Sequence, residues 1–233
     1  MAITIISSIL LTAADGLNIT IPFTGAVQDD VVVTFGGFAG GTSTAPGVIS
    51  PTGYTSILVN DAADVDFKVE WKRLGSVVEP SILLAGSGAA ADAGGYGAYI
   101  LRGVTKAENP FIGVIQTSIA SGVPQSPSII TAIDGSIVLA MAGNDVFDSS
   151  PGNVNEFAAN MGSSTNDTDD FSVAGAASIF ASGGSKAPGA WSTWTAGGYV
   201  SATVALAPAL QTTFNNYLFP KGGDGMSVTE KIR

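Results

Sequence analysis

The 233-residue sequence contains no cysteine and no histidine. These two absences exclude disulfide bonds, thiolate and imidazole metal sites, a cysteine nucleophile and the Ser-His-Asp triad. Charged residues are also scarce, at 12% of the chain, against roughly 25% in an average soluble domain. A surface built mainly from Ser, Thr, Ala, Gly and Asn favours a subunit that packs against neighbours, so we expect a homo-oligomer.

Basic residues are few, and the formal net charge at pH 7 is −10. Nucleic-acid binding depends on neutralising phosphates with Lys and Arg side chains. The nine Lys and Arg residues are spread along the chain, and only Lys68, Lys72 and Arg73 form a cluster. We therefore expect no nucleic-acid partner.

The amino-terminal segment MAITIISSILLTAADG has an apolar run, but no Lys or Arg precedes this run and Asp15 follows it. A secretory signal peptide begins with positive charge, so we expect no signal peptide. The apolar runs of the chain stay shorter than the ~18 residues that a membrane-spanning helix needs. The sequence therefore predicts no membrane insertion.

Short apolar or alternating runs separated by Gly, Pro, Asn, Asp and Ser predict an all-β sandwich or barrel. A first strand is expected at 2–7. LNITIPF at 17–23 alternates apolar and polar residues, which is typical of a half-buried strand. VVVTFGG at 31–37 alternates little, as expected where both faces of a strand are covered.

Three further segments give more specific expectations. VDFKVEWKR at 65–73 predicts a strand with one apolar face and one solvated face of alternating charges. Asp134-Gly135 is the strongest hairpin signal and predicts that 128–143 folds back on itself. GNVNEFAANM at 152–161 is the clearest helix-prone segment.

The pattern amounts to about 12 strands with at most one short helix, in an antiparallel β-sandwich. The strand pattern continues across the Gly-rich and Ser-rich stretches, so we expect a single domain over residues 1–219. Residues 220–233 cannot build a core. We expect them to form an extended carboxy-terminal arm that neighbouring chains hold.

One acidic segment is a candidate Ca²⁺ site. STNDTDDFS at 164–172 contains four closely spaced oxygen ligands, Asn166, Asp167, Asp169 and Asp170. Ca²⁺ takes about six to eight oxygens, so this cluster suits a hard cation. The central Gly and distal Glu of an EF-hand loop are missing, and a solvated loop is the alternative. No other cofactor is expected.

Four aromatic residues are candidate ligand-binding residues, Tyr54, Trp191, Trp194 and Tyr199. Trp191 and Trp194 are three positions apart and would face opposite sides of a strand. We expect one tryptophan in the core and the other, with Tyr199, on an exposed platform that stacks on sugars. Packing without a ligand is the alternative interpretation.

No catalytic residue is predicted. Glu70 beside Trp71 comes nearest to a glycosidase carboxylate in an aromatic setting, but it alternates onto the face of Lys68 and Lys72. Arg102 ends the apolar run 99–101, where it can extend its charged end into solvent, pair with an aspartate such as Asp92 or one from a neighbouring loop, or contact a ligand.

Taken in order, the landmarks of the chain resemble a β-sandwich domain of tailed-bacteriophage virion proteins and prophage-encoded minor structural or fibre-like proteins. The landmarks are LNITIPF at 17–23, QDDVVVTFGG at 28–37, PTGYT at 51–55, FKVEWKR at 67–73, AYILRGV at 98–104, PSIITAIDGSIVLAM at 127–141 and AWSTWTAGGYVSATVALAP at 190–208. The match covers about residues 2–208.

This resemblance implies a jelly-roll or concanavalin-like sandwich without catalytic residues. It also implies a structural protein of the virion, as capsid decoration or as a tail or fibre component, made in the cytoplasm of a bacterial host. The expected partners are other copies of the chain, other virion proteins and host surface glycans. The alternative function is a carbohydrate-binding, lectin-like module assisted by Ca²⁺.

Overall fold

The computed structural model describes residues 2–14, 16–39, 47–62, 65–88, 92–147, 154, 157, 159–165 and 170–209. Within these ranges the chain forms 17 strands and no helix. The strands are β1 (Thr4–Ala13), β2 (Ile19–Pro22), β3 (Val31–Ala39), β4 (Val48–Ser50), β5 (Thr55–Ala62), β6 (Val65–Arg73), β7 (Ser81–Leu84), β8 (Gly94–Arg102), β9 (Phe111–Gly122), β10 (Gln125–Ser126), β11 (Ile129–Thr131), β12 (Ile137–Asn144), β13 (Ala159–Thr165), β14 (Phe171–Ile179), β15 (Gly184–Lys186), β16 (Gly189–Ala190) and β17 (Gly197–Leu206).

The predicted all-β fold is confirmed, and all the strand pairings are antiparallel. More strands are present than the sequence pattern indicates. The excess comes largely from β4, β10, β11, β15 and β16, which are two or three residues long. Such short strands carry too little alternation to be recognised from the sequence.

Ten strands form two five-stranded sheets. Sheet I has the order β1-β8-β3-β6-β5, and sheet II has the order β13-β14-β12-β17-β9. Sheet I is built from residues 4–102 and sheet II from residues 111–206, so each half of the chain makes one sheet. Sheet III has the order β2-β7-β4, and two ribbons pair β10 with β16 and β11 with β15.

The main core lies between sheets I and II, which pack as a β-sandwich. Phe35 and Tyr99 of sheet I meet Leu139, Phe171 and Val204 of sheet II in one buried cluster. The Phe35 and Tyr99 rings are stacked, with their centroids 5.7 Å apart. The two halves of the chain therefore share one hydrophobic core.

The outer faces of both central sheets are covered as well. Ile21 and Ile82 of sheet III pack against Val32 and Ile100 on the outside of sheet I. Trp191 packs in a second cluster that contains Ala140, Ala174 and Ala176 of sheet II. Both faces of β3 are buried along its whole length, which confirms the interpretation of its non-alternating sequence.

The predicted solvation of one face of β6 is wrong. Asp66 and Glu70 are only 1% and 5% exposed, and β4 of sheet III lies over Glu70. The backbone N–H of Val48 in β4 donates to Glu70 Oε2 at 2.6 Å. Alternation reveals that the two faces of a strand differ, but it does not reveal which element covers each face.

The predicted hairpin at 128–143 is also wrong. The turn is present, with Gly135 at a φ of +75°. The strands on its two sides nevertheless join different partners, since β11 pairs with β15 while β12 pairs with β14 and β17. Asp134-Gly135 therefore connects a ribbon to sheet II.

The remaining segment predictions have mixed outcomes. The first strand runs from Thr4 to Ala13 rather than over 2–7. In the predicted helix at 152–161, the last three residues belong to β13 instead, and residues 152, 153, 155, 156 and 158 lie outside the described residues. The arm at 220–233 also lies outside them and stays a prediction.

Replacing Gly175, which leaves space for the Phe35 ring, by a larger residue should destabilise the sandwich. A Cβ placed on Gly175 of β14 would collide with the Phe35 ring, so Gly175→Ala should lower the free energy of unfolding by about 1–3 kcal/mol. Urea denaturation measures this change. Gly75→Ala is the control, because a Cβ there meets nothing within 4 Å, and it should change the free energy by less than about 0.5 kcal/mol. Equal effects of the two substitutions would contradict the packing described.

Candidate functional site

Arg102 lies where the chain leaves sheet I. It ends β8, and Gly103 with a φ of +81° turns the backbone toward sheet II. Its Nε and NH2 groups donate to the two carboxylate oxygens of Asp30, each at 2.9 Å, and NH2 also donates to the Gly25 carbonyl oxygen at 3.0 Å. The hydrogen bond to Asp30 raises the pKa of Arg102. The partner is therefore an aspartate of a neighbouring loop, Asp30, rather than Asp92.

Asp30 organises the loop before β3. It is buried, and its Oδ2 atom also accepts a hydrogen bond from the Val27 N–H at 2.9 Å. Two parallel bonds between a guanidinium and a carboxylate give a strong and directional contact. This ion pair therefore fixes the loop that precedes β3 against the end of β8.

A pocket of about 330 Å³ adjoins this ion pair, and its wall includes Asp29, Asp30, Arg102 and Lys106. Lys106 Nζ lies 2.6 Å from Asp29 Oδ2. Each carboxylate in the wall is thus paired with a cation of the same wall. The contacts of Arg102 and Lys106 fit a structural role, which was one of the two roles expected for Arg102.

The covered face of β6 holds a second polar network, centred on Glu70. Its Oε1 atom accepts from Ser56 Oγ at 3.1 Å and lies 2.9 Å from Lys68 Nζ, while its Oε2 atom accepts from the Val48 N–H. Burial raises the pKa of Tyr96 well above its ordinary value, and the carboxylates of Glu70 and Asp66 raise it further. Glu70 therefore ties β4 and β5 to β6, which is a structural role.

Tyr54 lies beside this network and is partly buried. Lys72 Nζ is 5.5 Å from the centre of its ring, and the same ammonium group pairs with Glu79. Burial raises the pKa of Tyr54, and the carboxylates of Glu79 and Glu70 add to the effect. One face of the ring is thus taken by a cation of the same chain.

The expectation of one tryptophan in the core is met, but the expected exposed platform of the other tryptophan with Tyr199 is wrong, because Trp191, Trp194 and Tyr199 are 1%, 5% and 2% exposed. The two indole rings stack on each other with centroids 5.6 Å apart. They flank a turn in which Thr193 has a φ of +70°, so they do not alternate as on a strand. The small side chains of the outer face of sheet II leave room for both rings.

The candidate Ca²⁺ ligands Asn166, Asp167 and Asp169 lie outside the described residues. Asp170 is partly buried and directly precedes β14. Among the residues that the structure describes, no three or more Asp or Glu side chains are grouped to hold a metal ion. The Ca²⁺ site at 166–170 therefore stays a prediction. The described part of the chain also contains no helix suited to crossing a membrane.

A groove at the edge of the sandwich was not anticipated from the sequence. We name it the Trp71 groove. It has a volume of about 430 Å³ and is lined by Thr55, Ser56 and Ile57 of β5, Trp71 of β6, and Glu108 and Asn109 before β9. These residues come from three separate parts of the chain, so no local motif indicates the groove.

The indole ring of Trp71, which forms the aromatic wall of the groove, packs against the first residue of β9 in the facing sheet. Trp71 is partly buried and meets Phe111 at the start of β9 edge to face, with ring centroids 5.7 Å apart. Asn109 Oδ1 accepts a hydrogen bond from the Phe111 N–H at 3.0 Å. The first residue of β9 therefore positions both the indole ring and the amide group.

Comparison with known protein families, curated proteins and solved structures finds no match to this chain.

Loss of Asp30 should be far more costly than loss of Lys106. Asp30→Ala removes a buried acceptor of three hydrogen bonds and should lower the free energy of unfolding by about 2 kcal/mol. Lys106→Met breaks only an exposed ion pair, which contributes about 0.5 kcal/mol or less. Urea denaturation of both variants tests the ranking. A smaller effect of Asp30→Ala would show that the loop does not depend on it.

Glu70 should control the opening of β4. Glu70→Met removes both acceptor oxygens, so hydrogen exchange at the Val48 amide should accelerate about tenfold, as expected for loss of a hydrogen bond to a charged group. Lys68→Met is the control, because it removes the ion pair and leaves the Val48 bond in place. Exchange measured by NMR that is equally fast in both variants would contradict this role of the carboxylate.

Proposed function

We propose that the chain is a non-enzymatic structural protein of a bacteriophage virion, either a capsid decoration or a tail or fibre component. It assembles through contacts between its own copies and with other virion proteins. The landmarks between residues 17 and 208 that resemble virion β-sandwich domains motivate this proposal. The structural observation that supports it most directly is strand β9, at the edge of sheet II.

This edge strand is β9, which is 12 residues long and has the sequence FIGVIQTSIASG. It pairs with β17 along one side, and within the described residues no strand pairs with its other side. Val114 and Ile115 are 39% and 40% exposed. Free edge strands are normally protected by charges, by proline, by short length or by β-bulges. β9 has no charge and no proline, it is 12 residues long, and its register with β17 shifts only near its two ends.

A neighbouring subunit that covers β9 would remove this exposed strand edge from solvent. The scarcity of charge over the whole chain fits a surface that is largely in contact with other subunits. Four of the six described Lys and Arg side chains also serve the fold, since Lys68, Lys72, Arg102 and Lys106 each pair with a carboxylate of the same chain. These observations support a scaffold role rather than a chemical one.

A charge placed on β9 should weaken self-association. Ile115→Lys introduces the type of residue that protects free edges, so the oligomer should dissociate to smaller species in light scattering coupled to size-exclusion chromatography. Ile130→Lys is the control, since Ile130 is 73% exposed and lies on the β11-β15 ribbon. A parent chain that is monomeric at all concentrations would refute assembly through its own copies.

Location in the virion is tested separately by immunogold labelling of particles released from cells that carry the encoding phage or prophage. Regular labelling of heads, tails or fibres is expected. Unlabelled particles from a culture that produces the protein would refute the virion role.

The alternative function, a carbohydrate-binding module, is favoured by one specific observation, the partly exposed indole of the Trp71 groove.

A further inference from the structure

The Trp71 groove combines an aromatic wall with polar groups that can both donate and accept hydrogen bonds. Trp71 supplies the aromatic ring, and the hydroxyl group of Thr55, its partner in the β5-β6 register, borders it. A hydroxyl group both donates and accepts. A pocket with an apolar wall and a few convergent polar groups, in the range of roughly 300–1,000 Å³, is typical of small-molecule sites.

The polar groups on the opposite side come from the loop before β9. Asn109 uses its side-chain oxygen for the Phe111 N–H, and this bond fixes the orientation of the amide group. Among the described residues its two amide N–H donors have no acceptor. Glu108 is exposed and forms no ion pair with a described residue. One amide donor pair and one carboxylate acceptor thus border the groove.

This arrangement matches the chemistry of a pyranose. One face of a sugar ring presents C–H groups, which pack against the electron-rich face of an indole. The vicinal hydroxyl groups at the ring edge act as donors and acceptors together, as do the side chains around Trp71. We propose that the Trp71 groove binds a neutral saccharide, a hexose or N-acetylhexosamine unit of a larger glycan.

The charge of the groove selects neutral over acidic glycans. Glu108 is the one charged residue among the lining residues, and the whole chain carries a net charge of −10. A sialic acid, uronic acid or sulfated sugar would bring a negative charge beside Glu108 without a cation in the groove wall to balance it. This argument concerns binding alone and holds for any role of the chain in a virion.

The position of the groove suits recognition of one unit within a longer glycan. Four of the six lining residues lie on β5 and β6, and sites on strands are held more firmly than sites on loops. The groove lies at the edge of the sandwich, between edge strand β5 and the segment that leads into edge strand β9. A chain of sugars can therefore extend past the bound unit in both directions.

The test begins with a glycan array of neutral and acidic glycans, probed with the purified full chain. Binding should be confined to glycans with neutral hexose or N-acetylhexosamine units. Calorimetric titration with the best neutral oligosaccharide then gives the dissociation constant. Binding to no glycan, or preference for sialylated, uronic or sulfated glycans, would overturn the proposal.

Variants assign the binding to the groove. Trp71→Ala should abolish it, and because this variant also loses the contact with Phe111, two milder variants accompany it. Thr55→Val removes one hydroxyl group, and Asn109→Asp keeps the oxygen that binds the Phe111 N–H while replacing the amide donors. Each should weaken binding about tenfold, the effect of losing one hydrogen bond, with a melting temperature close to that of the parent chain.

Two controls exclude other sites. Lys106→Met changes an exposed residue that lies in the same loop as Asn109 but does not line the groove, and it should leave the dissociation constant unchanged. Titration in EDTA should also leave it unchanged, because the groove has a single carboxylate and needs no metal ion. Binding that survives both milder variants, or that disappears in EDTA, would show that the sugar site lies elsewhere and would overturn the assignment.

Discussion

The ring of Phe35 determines how closely the two central sheets approach. It lies between Gly97 of its own sheet and Gly175 of the facing sheet, and a side chain at either glycine would collide with it. Gly143 has the same relation to Phe67 and Phe171. Large rings on one sheet thus fill the gaps that glycines leave on the other. Such pairing of large rings with glycines allows the close packing that is typical of protein interiors. Sheet III and the tryptophan cluster pack on the outer faces of these two sheets.

Because the outer faces of both central sheets are covered too, the polar side chains discussed above lie in two kinds of place, either on a covered sheet face or at the edges of the sandwich. On the covered face of β6, Glu70 and Asp66 are buried, and two hydrogen bonds and one ion pair engage the carboxylate of Glu70. At the edges of the sandwich, side chains from distant parts of the chain meet in grooves that stay open to solvent. The first kind stabilises the fold. The second kind includes the Trp71 groove, where we propose that a sugar binds.

The sequence predicted burial correctly where burial depends on the alternation within a single strand. Ile19 and Ile21 are buried while Thr20 and Pro22 are exposed, as the alternation of β2 indicates. It was not informative where the outcome depended on a distant element. The covering of β6 by sheet III, the positive φ at Thr193 and the meeting of Trp71 with Asn109 leave no trace in local periodicity. The sequence predicted the fold class, but it did not indicate the groove, and it predicted an exposed aromatic platform where the structure has buried rings.

The division of the chain into two successive sheets has a consequence for its synthesis. Once residue 102 has left the ribosome, all the strands of sheets I and III are present, and none of sheet II is. Sheet III can cover one face of sheet I immediately. The other face, with Phe35, Phe67 and Tyr99, stays uncovered until the strands of sheet II, the last of which ends at residue 206, have been synthesised. The nascent amino-terminal half therefore passes through an interval with one apolar face uncovered, which is the condition under which nascent chains aggregate or engage chaperones.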